Sequence, residues 1–294
     1  MSIRPRRSVL YMPGSNARAI DKARTLPVDG IIIDLEDAVA PEVKEAARDQ
    51  TVAALKAGGF GARELLVRIN GLDTPWGIDD LSAVAHAAPD GVLLPKVAGP
   101  EILEMVGTRL LDMHADHRTR VWAMMETPMA VLRAHEIAAI AKDTEARLAG
   151  LVMGTNDLVK DAQGRIVSGR APLVPWLMTC IAAARAYGLV ILDGVFNGLQ
   201  DAEGFRAECV QGRDMGFDGK TLIHPSQVET CNAIFSPAPA EIDEARKILA
   251  VFERPENKHK GVLAIDGRMV ERMHADMARR TVTIADAIAE GPGR

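Results

Sequence analysis

The stretch that decides the fold spans residues 30–57 and has the sequence GIIIDLEDAVAPEVKEAARDQTVAALKA. It begins with a short apolar run, residues 30–35, which is hydrophobic on both faces, as expected of a parallel strand covered by helices. Acidic residues end the run, and a longer amphipathic segment, residues 41–57, follows it. This order predicts a strand followed by a helix.

The same pattern recurs along the chain. The predicted strands are residues 8–12, 30–35, 65–69, 91–95, 121–125, 150–154, 190–193 and 219–223. Helix-like segments between them include residues 16–26, 41–57, 81–87, 128–141 and 174–187. Eight strand–helix units in a chain of 294 residues favour a closed (β/α)₈ barrel over a doubly wound sheet. The eighth strand is the weakest prediction, because Thr221 and His224 interrupt its apolar character.

A C-terminal segment lies beyond the eight units. Residues 241–253 and 269–289 have helical patterns, and a polar linker, residues 255–260, separates them. We therefore expect a barrel domain, residues 1–239, and a C-terminal helical extension, residues 240–294, which could dock on a neighbouring subunit.

The composition excludes several classes of protein. A formal net charge of −5 disfavours non-specific binding to nucleic acid. Cys180, Cys209 and Cys231 form no metal or redox motif, so we expect reduced, buried thiols. The basic N-terminus carries no apolar leader, and no run of 18 apolar residues is present. We expect no membrane span and a cytoplasmic location.

Polar residues follow the predicted strands, at the end where a barrel of this type forms its active-site mouth. They are Asp34, Glu36, Asp37, Arg68, Asn70, Lys96, Glu126, Asp157, Asp193, Lys220 and His224. Charged residues placed so regularly after apolar runs predict a polar site at this end.

Glu126 and Asp157 are the predicted metal ligands. Each follows a buried strand, and the two strands are neighbours, about 4.8 Å apart. Mg²⁺ suits one or two protein carboxylates, with water and substrate oxygens as its other ligands. The alternative for each residue alone is an acidic residue in the first turn of the next helix.

Four basic residues have two interpretations each. Arg68 could bind a carboxylate or thioester oxygen through two hydrogen bonds, or pair with the acidic residues after strand two. Lys96 and Lys220 could bind phosphate, or neutralise the acidic mouth. His224, followed by Pro225, could instead end a strand in a turn that begins a helix.

Motifs along nearly the whole chain resemble those of the citrate lyase β-subunit-like proteins, a branch of the HpcH/HpaI aldolase family. They are RSVLYMPG (7–14), DLEDAV (34–39), VRING (67–71), LPKV (94–97), ET (126–127), GTNDL (154–158), GFDGK (216–220) and IHP (223–225). The resemblance implies a Mg²⁺-dependent enzyme acting on a 3-hydroxyacyl-CoA thioester, as a homotrimer or homohexamer.

Residue roles also follow from the resemblance. Glu126 and Asp157 match the metal ligands, and Arg68 matches the residue that grips the substrate. Arg18 and Lys22 fall where family members contact the phosphates of CoA. Three further residues match acid, base and pocket positions: Glu36, Asp37 and Lys96.

Two positions depart from the family pattern. Ala130 stands where a glycine is common, four residues after Glu126. Glu271 stands where lyases carry an aspartate that acts in the active site of the neighbouring subunit. One extra methylene could shift the carboxylate by about 1 Å, enough to cost on the order of a hundredfold in rate.

The resemblance is greatest to the malyl-CoA thioesterase and malyl-CoA lyase branch, on stretches such as WAMME (122–126) and QGRDMG (211–216). It leaves thioester hydrolysis and carbon–carbon cleavage both open. Another alternative is a citrate or citramalyl-CoA lyase β-type subunit that works within a multi-subunit complex. A catalytically silent CoA-binding protein is disfavoured by the intact set of Arg68, Glu126 and Asp157.

Overall fold

A closed barrel of eight parallel strands forms the centre of the structure, a computed structural model that describes residues 4–291. The strands are β1 (Ser8–Pro13), β2 (Gly30–Asp34), β3 (Glu64–Arg68), β4 (Gly91–Leu94), β5 (Arg120–Met125), β6 (Leu148–Met153), β7 (Val190–Asp193) and β8 (Gly219–Leu222). Neighbours in the chain pair with one another, and β8 pairs with β1. The predicted barrel is confirmed, including its eighth strand. Residues 1–3 and 292–294, at the ends of the two predicted domains, lie outside the described residues.

Helices surround this barrel. They are α1 (Ala17–Ala23), α2 (Lys44–Ala57), α3 (Gly77–Ala87), α4 (Glu101–Asp112), α5 (Pro128–Leu132), α6 (Ala134–Ala139), α7 (Thr155–Asp161), α8 (Val174–Ala186), α9 (Ala202–Met215) and α10 (Val228–Phe235). Two short helices, α5 and α6, replace the single helix predicted over residues 128–141. The break lies at Arg133, whose φ of −102° and ψ of 18° depart from helical values.

Alternate side chains of the strands fill two separate layers. Those that point inward form a core within the barrel: Val9, Ile32, Leu66, Leu93, Trp122, Met124, Val152 and Leu192. The outward side chains, such as Ile31 and Ile33, pack against the helices. Both faces of a strand are therefore buried, which explains its continuous apolar character.

Trp122 is the largest side chain inside the barrel and is fully buried. Gly150 faces it from β6, where an added Cβ would overlap the indole ring. Glycine at this position therefore makes the room that the indole requires. Side chains of this core fill the barrel interior, and active sites of such barrels lie at the C-terminal ends of the strands.

The C-terminal extension contains a β-hairpin that the sequence analysis missed. Its elements are α11 (Pro239–Phe252), β9 (Val262–Ile265), β10 (Arg268–Glu271) and α12 (Arg272–Glu290). The helix predicted over residues 269–289 therefore begins at Arg272, three residues later than predicted, because a strand precedes it. Asp266 and Gly267 form the turn with φ values of 50° and 77°, and Asp-Gly is a strong hairpin signal.

This extension has a small core of its own. Phe252, Ile265, Val270 and Ala275 pack together, and α12 lies along α11. Arg280 of α12 pairs with Asp218, which precedes β8 at the N-terminal end of the barrel. Within residues 4–291, no helix is long and apolar enough to cross a membrane.

Candidate active site at the mouth of the barrel

Seven charged side chains gather where β2 to β6 end. We call them the mouth cluster: Asp34, Glu36, Asp37, Arg68, Lys96, Glu126 and Asp157. Strand register brings the first of these together, since Asp34 of β2 lies directly beside Arg68 of β3. Both alternate with the inward-facing Ile32 and Leu66, so both face the barrel interior.

Arg68 is held on several sides. Its Nε and Nη2 donate to the two carboxylate oxygens of Asp34, both at 2.7 Å, and its guanidinium carbon lies 5.1 Å from the centre of the Tyr11 ring. Its remaining nitrogen, Nη1, lies 3.0 Å from Glu36 and 3.6 Å from Asp37. Burial alone lowers the pKa of Arg68, but the hydrogen bonds to Asp34 and the surrounding negative charge raise it above its ordinary value.

Arg68 can serve both of the functions considered for it, an ion pair with neighbouring acids and a contact with substrate. The predicted ion pair with Glu36 and Asp37 is present, but the shortest contact of Arg68 is with Asp34, the last residue of β2, to which the prediction did not extend. One two-nitrogen edge of the guanidinium, Nε with Nη2, is occupied by that residue. The group that faces the mouth is Nη1.

Glu36 lies between two cations. Its Oε1 accepts a 2.5 Å hydrogen bond from Lys96, and its Oε2 faces Arg68. Burial raises the pKa of Glu36, and both cations oppose that rise. Lys44, buried on α2, donates to the backbone carbonyls of Leu35 and Glu36 at 2.9 Å each, which fixes the loop that carries the carboxylate.

Glu126 is 1% exposed and is oriented by the backbone. The amide of Lys96 donates to its Oε1 at 2.6 Å, from a residue whose φ of 50° is unusual outside glycine. The Oε2 atom lies against Gly154, where an added Cβ would overlap it. Burial raises the pKa of Glu126 to about 7, and the negative charges of Glu36 and Asp157 add to the rise.

Asp157 approaches from the next strand. It lies in the first turn of α7, and its side chain is one-quarter exposed. Its charge acts on Glu126, so the two predicted ligands are brought into one electrostatic site. The α7 backbone receives no capping hydrogen bond from a side chain at its N-cap, Gly154.

These residues fit a divalent cation. Among residues 4–291, no group of three or more His, Cys, Asp or Glu side chains could hold a metal ion. Mg²⁺ does not need one, because water and substrate usually complete its coordination. The Oε2 of Glu126 accepts no hydrogen bond from the described residues, so a buried acceptor with a raised pKa is available to a cation.

The mouth also carries an excess of negative charge. The mouth cluster has five carboxylates and two cations, Arg68 and Lys96; Lys44 lies behind the loop after β2, and the exposed Lys160 lies 4.0 Å from Asp157. Three of the acids, Asp34, Glu36 and Glu126, are buried, and an excess of acids in such a place favours a bound cation.

Asp193 and Lys220 do not reach the mouth, contrary to the sequence analysis. Both point outward from β7 and β8 into the layer between the barrel and α9. There they form what we call the β7–β8 network, with Arg170 and Glu208. Lys220 donates to Asp193 at 2.9 Å and to Glu208 at 2.7 Å, while Arg170 donates to Asp193 at 2.7 Å.

This network has no free charge for a ligand. Lys220 is fully buried and also donates to the carbonyl of Gly194. Burial lowers the pKa of Lys220, but Asp193 and Glu208 together raise it above its ordinary value. Of the two interpretations of Lys220, neutralisation is therefore correct, although its partners are these acids and not the mouth cluster.

His224 takes the structural role that was one of its two interpretations. Its Nδ1 accepts from the amide of Ser226 at 3.2 Å, and Pro225 begins a short 3₁₀ helix. The side chain of Gln227 accepts from the backbone of Ile223 and His224. These contacts shape the turn after β8.

Three predicted residues lie away from the mouth cluster. Arg18 and Lys22 are exposed one turn apart on α1, directly after β1. Glu271 is exposed at the N-cap of α12, and its backbone amide donates to His274. Because α12 packs on α11 and pairs with the N-terminal end of β8, no described contact brings Glu271 to the mouth of its own chain. Its predicted role stays a prediction.

Sequence reasoning placed Asp34 at the mouth without a role of its own, and it missed two other residues that shape the site, Tyr11 and Lys44. Tyr11, Asp34 and Lys44 support Arg68 and the loop after β2 from below and behind. Strand alternation could have placed Tyr11 and Asp34 inside the barrel, since each lies two residues after an inward-facing Val9 or Ile32. Lys44 had no signal, because a helix pattern does not show where a lysine side chain ends.

Comparison with known proteins agrees with this fold. A family model described as HpcH/HpaI aldolase/citrate lyase matches residues 7–225. A (3S)-malyl-CoA thioesterase of Cereibacter sphaeroides (strain KD131 / KCTC 12085) is 50% identical over 97% of this chain and 96% of its own. The citrate lyase subunit beta of Leuconostoc mesenteroides subsp. cremoris is 33% identical over 97% and 94%.

A solved structure is similar throughout. CitE from Mycobacterium tuberculosis, in complex with magnesium, acetoacetate and coenzyme A, is 26% identical, covers 96% of this chain and 98% of its own, and superposes with a TM-score of 0.74. The fold and the site together define a (β/α)₈-barrel enzyme with a carboxylate-rich mouth. More particularly, the chain belongs to the HpcH/HpaI aldolase/citrate lyase family.

Proposed function

We propose that this protein is a Mg²⁺-dependent enzyme that hydrolyses a malyl-CoA-type 3-hydroxyacyl-CoA thioester to malate and CoA. One observation carries the proposal: the carboxylates of Glu126 and Asp157 share the mouth with Nη1 of Arg68. A cation site beside a fixed guanidinium suits a substrate with a hydroxy acid at one end and a thioester carbonyl at the other. The 50% identity to a (3S)-malyl-CoA thioesterase supports this substrate.

Glu126 and Asp157 would hold the metal ion. When bound, Mg²⁺ supplies Lewis-acid polarisation of substrate oxygens and neutralises the excess negative charge of the mouth. The Lys96 amide, which donates to Oε1 of Glu126, leaves Oε2 for this purpose. Only ionised Glu126 binds a cation, and burial raises its pKa to about 7, so the affinity for the metal ion should rise with pH through that value.

The chain's own residues account for the chemistry as follows. Nη1 of Arg68 binds the thioester carbonyl oxygen and stabilises the negative charge that develops there. Glu36, whose pKa is raised by burial, accepts a proton from the attacking water. The new C–O bond forms at the carbonyl carbon, the C–S bond breaks, and the sulfur leaves as the CoA thiol after taking up a proton. Lys96 and Arg68 favour the ionised form of Glu36, and the hydrogen bond from Lys96 holds its carboxylate in position, while Asp37 lies beside Arg68 at the rim.

The CoA part of the substrate would lie along the outside of the mouth. Arg18 and Lys22 are exposed on one face of α1, where two positive charges can meet phosphate groups. Because both side chains are exposed, they can turn toward the phosphates of CoA, as their proposed role requires.

We also propose a homotrimer or homohexamer in the cytoplasm. Glu271 would reach the mouth of a neighbouring subunit from the C-terminal extension, residues 240–294, while residues 1–239 form the catalytic barrel. The small core of Phe252, Ile265, Val270 and Ala275 supports this division. Three free, buried cysteines agree with a reducing compartment.

A second candidate is carbon–carbon cleavage of the same substrate. The family includes the citrate lyase subunit beta, which is 33% identical to this chain, and the CitE structure has a similar fold. Loss of the hydroxyl proton would then break the C–C bond and release a keto acid with an acyl-CoA enolate, which is protonated at carbon. In a variant of this second candidate, the chain cleaves the C–C bond only as a subunit of a larger lyase complex.

Incubation of the isolated protein with (3S)-malyl-CoA and MgCl₂ separates the candidates. Free CoA with malate means hydrolysis, whereas acetyl-CoA with glyoxylate means cleavage. Glu126→Gln and Asp157→Asn should both abolish the reaction while the proteins stay folded. If the wild-type chain gives neither pair of products, the proposed function is wrong.

A further inference from the structure

The carboxylate of Asp34 has all of its hydrogen-bonding capacity occupied. It is 1% exposed and accepts four hydrogen bonds: from Nε and Nη2 of Arg68 at 2.7 Å each, and from the amides of Glu36 at 2.9 Å and Ala38 at 3.0 Å. Two carboxylate oxygens offer about four lone-pair sites. Asp34 therefore has no acceptor left for a metal ion, a substrate or a proton.

This residue leaves Arg68 a single orientation. The Nε–Nη2 edge is held by Asp34, and the guanidinium carbon lies over the ring of Tyr11, 5.1 Å from its centre. Two parallel hydrogen bonds to one carboxylate fix the plane and direction of the guanidinium. Nη1 consequently points to Glu36, at 3.0 Å from its Oε2.

The same carboxylate also fixes the partner of that nitrogen. By accepting from the amides of Glu36 and Ala38, Asp34 sets the backbone of the loop that carries Glu36. Arg68 lies on β3 and Glu36 on the loop after β2, and one buried anion contacts both and determines their relative position.

We propose that Asp34 is the positioning residue of this active site. It selects Nη1 as the Arg68 nitrogen that reaches the substrate, and it holds Glu36 in line with that nitrogen. Asp34 touches no reacting atom itself, and its effect on the reaction passes through Arg68. The inference rests on the proposed function and adds to it a residue to which neither the motifs nor the relatives assign a role.

A double-mutant cycle tests this proposal on the full-length protein. The variants are Asp34→Asn, Arg68→Ala and the pair combined, each assayed with (3S)-malyl-CoA and MgCl₂ for release of the CoA thiol. Asp34→Asn alone should lower kcat/KM about a hundredfold, mainly through kcat, because the guanidinium loses its alignment. In the Arg68→Ala background the same change should cost less than about threefold, because little is left to orient.

Asp80→Asn is the matched control. Asp80 is fully buried like Asp34, and it accepts from the backbone and side chain of Asn70 and from Arg48, but not from Arg68. We expect a similar drop in the thermal unfolding temperature and a kcat/KM within about threefold of the wild type. Equal losses of activity in Asp34→Asn and Asp80→Asn would overturn the proposal.

Three further results would also support or overturn the proposal. If Asp34→Asn lowers kcat/KM by the same factor with and without Arg68, Asp34 acts independently of Arg68 and the proposal is wrong. Should Asp34→Asn not fold, Asp34→Glu keeps the charge, displaces it by one methylene, and must show the same dependence on Arg68. If the wild type does not act on malyl-CoA, a crystal structure of Asp34→Asn still decides: a guanidinium that stays against Glu36 overturns the inference, and one that turns away supports it.

Discussion

Two clusters of charged side chains lie near the same end of the barrel, and their surroundings differ. The mouth cluster faces the barrel interior at the ends of β2 to β6 and has more acids than bases. The β7–β8 network, Arg170, Asp193, Glu208 and Lys220, faces outward and is balanced, with two acids against two bases. Each cluster contains residues that end apolar strands, and each has a buried part: Asp34, Glu36, Arg68 and Glu126 in the mouth cluster, and Arg170, Asp193 and Lys220 in the other.

The difference separates a functional site from a structural one. In the β7–β8 network each charge is neutralised by a fixed partner, so the cluster needs no ligand. In the mouth cluster the carboxylates outnumber the cations, and burial raises the pKa of Glu126 and Glu36. An imbalance of this kind favours a bound cation and a substrate. The two clusters are distinguished by the direction in which their side chains point, into the barrel or out of it, and by their balance of acids and bases, more than by burial.

The largest expected effect on activity comes from Glu126→Gln. It removes a metal ligand and keeps the shape of the side chain, so kcat should fall on the order of a thousandfold, as several kcal/mol of charge stabilisation disappear. Thermal unfolding should show no loss of stability, since a buried charge with a raised pKa is removed. A destabilised Gln variant would mean that the mouth cluster is structural, like the β7–β8 network.

In the β7–β8 network we expect the opposite result, a loss of stability without a loss of activity, and Lys220→Met tests it. It leaves Asp193 and Glu208 buried without their cation, which should cost about 3–5 kcal/mol of stability. Urea unfolding measures that loss, and the kcat of the folded fraction should stay within about threefold of the wild type. A stable variant with low kcat would move this network into the active site.

Gly154→Ala tests how closely the mouth is packed. Its Cβ would overlap the Cβ and Oε2 atoms of Glu126, so the carboxylate must move, and we expect kcat/KM to fall about a hundredfold. The φ of −102° at this position suits alanine, so the effect comes from the overlap and not from the backbone. Gly164→Ala is the control, because the nearest atoms to its Cβ lie at 3.8 Å; equal effects of the two variants would exclude a specific contact.

The smallest effect concerns pH. With a pKa of about 7, against an ordinary value of 4.5, folded Glu126 binds its proton more tightly than the unfolded chain does. Its contribution to stability is therefore present below pH 4.5 and is lost as pH rises through 7. In metal-free protein, the unfolding temperature of the wild type should fall by a few degrees relative to Glu126→Gln between pH 5 and pH 8, as differential scanning calorimetry would show.

Magnesium supplies the control for that pH effect. Because ionised Glu126 binds the cation, added MgCl₂ should raise the wild-type unfolding temperature more at pH 8 than at pH 5, and should leave Glu126→Gln unchanged. Equal stabilisation of both proteins would place the cation elsewhere.

Much of the fold could be predicted because strands and helices leave periodic patterns. All eight strands lie where apolar runs indicate them, since burial of both strand faces requires a continuous run. The hairpin of β9 and β10 was missed, although Asp266 and Gly267 carry its turn signal. The apolar residues around that turn also fit a helix, and short segments of this kind are ambiguous.

Less of the site could be predicted. Glu126, Asp157, Arg68 and Glu36 do gather at one mouth, as strand ends and family motifs indicate. Asp193 and Lys220 carry the same pattern and belong to the other cluster. One residue of register turns a side chain from the inside of a barrel to the outside, and a four-residue strand such as β8 does not reveal which face is which.

The sequence by itself determined the barrel, the family and the residue types at the strand ends, because hydrophobic periodicity and motif spacing are local properties of the chain. Only the tertiary structure decided which charges share a site and which neutralise one another. That choice depends on which way each side chain points, on the closure of β8 onto β1, and on distances between residues far apart in the chain, such as Glu36 and Lys96, which are 60 positions apart. The energy of two charges depends on the distance between them and on their burial. Neither quantity can be read from the order of residues without the folded structure.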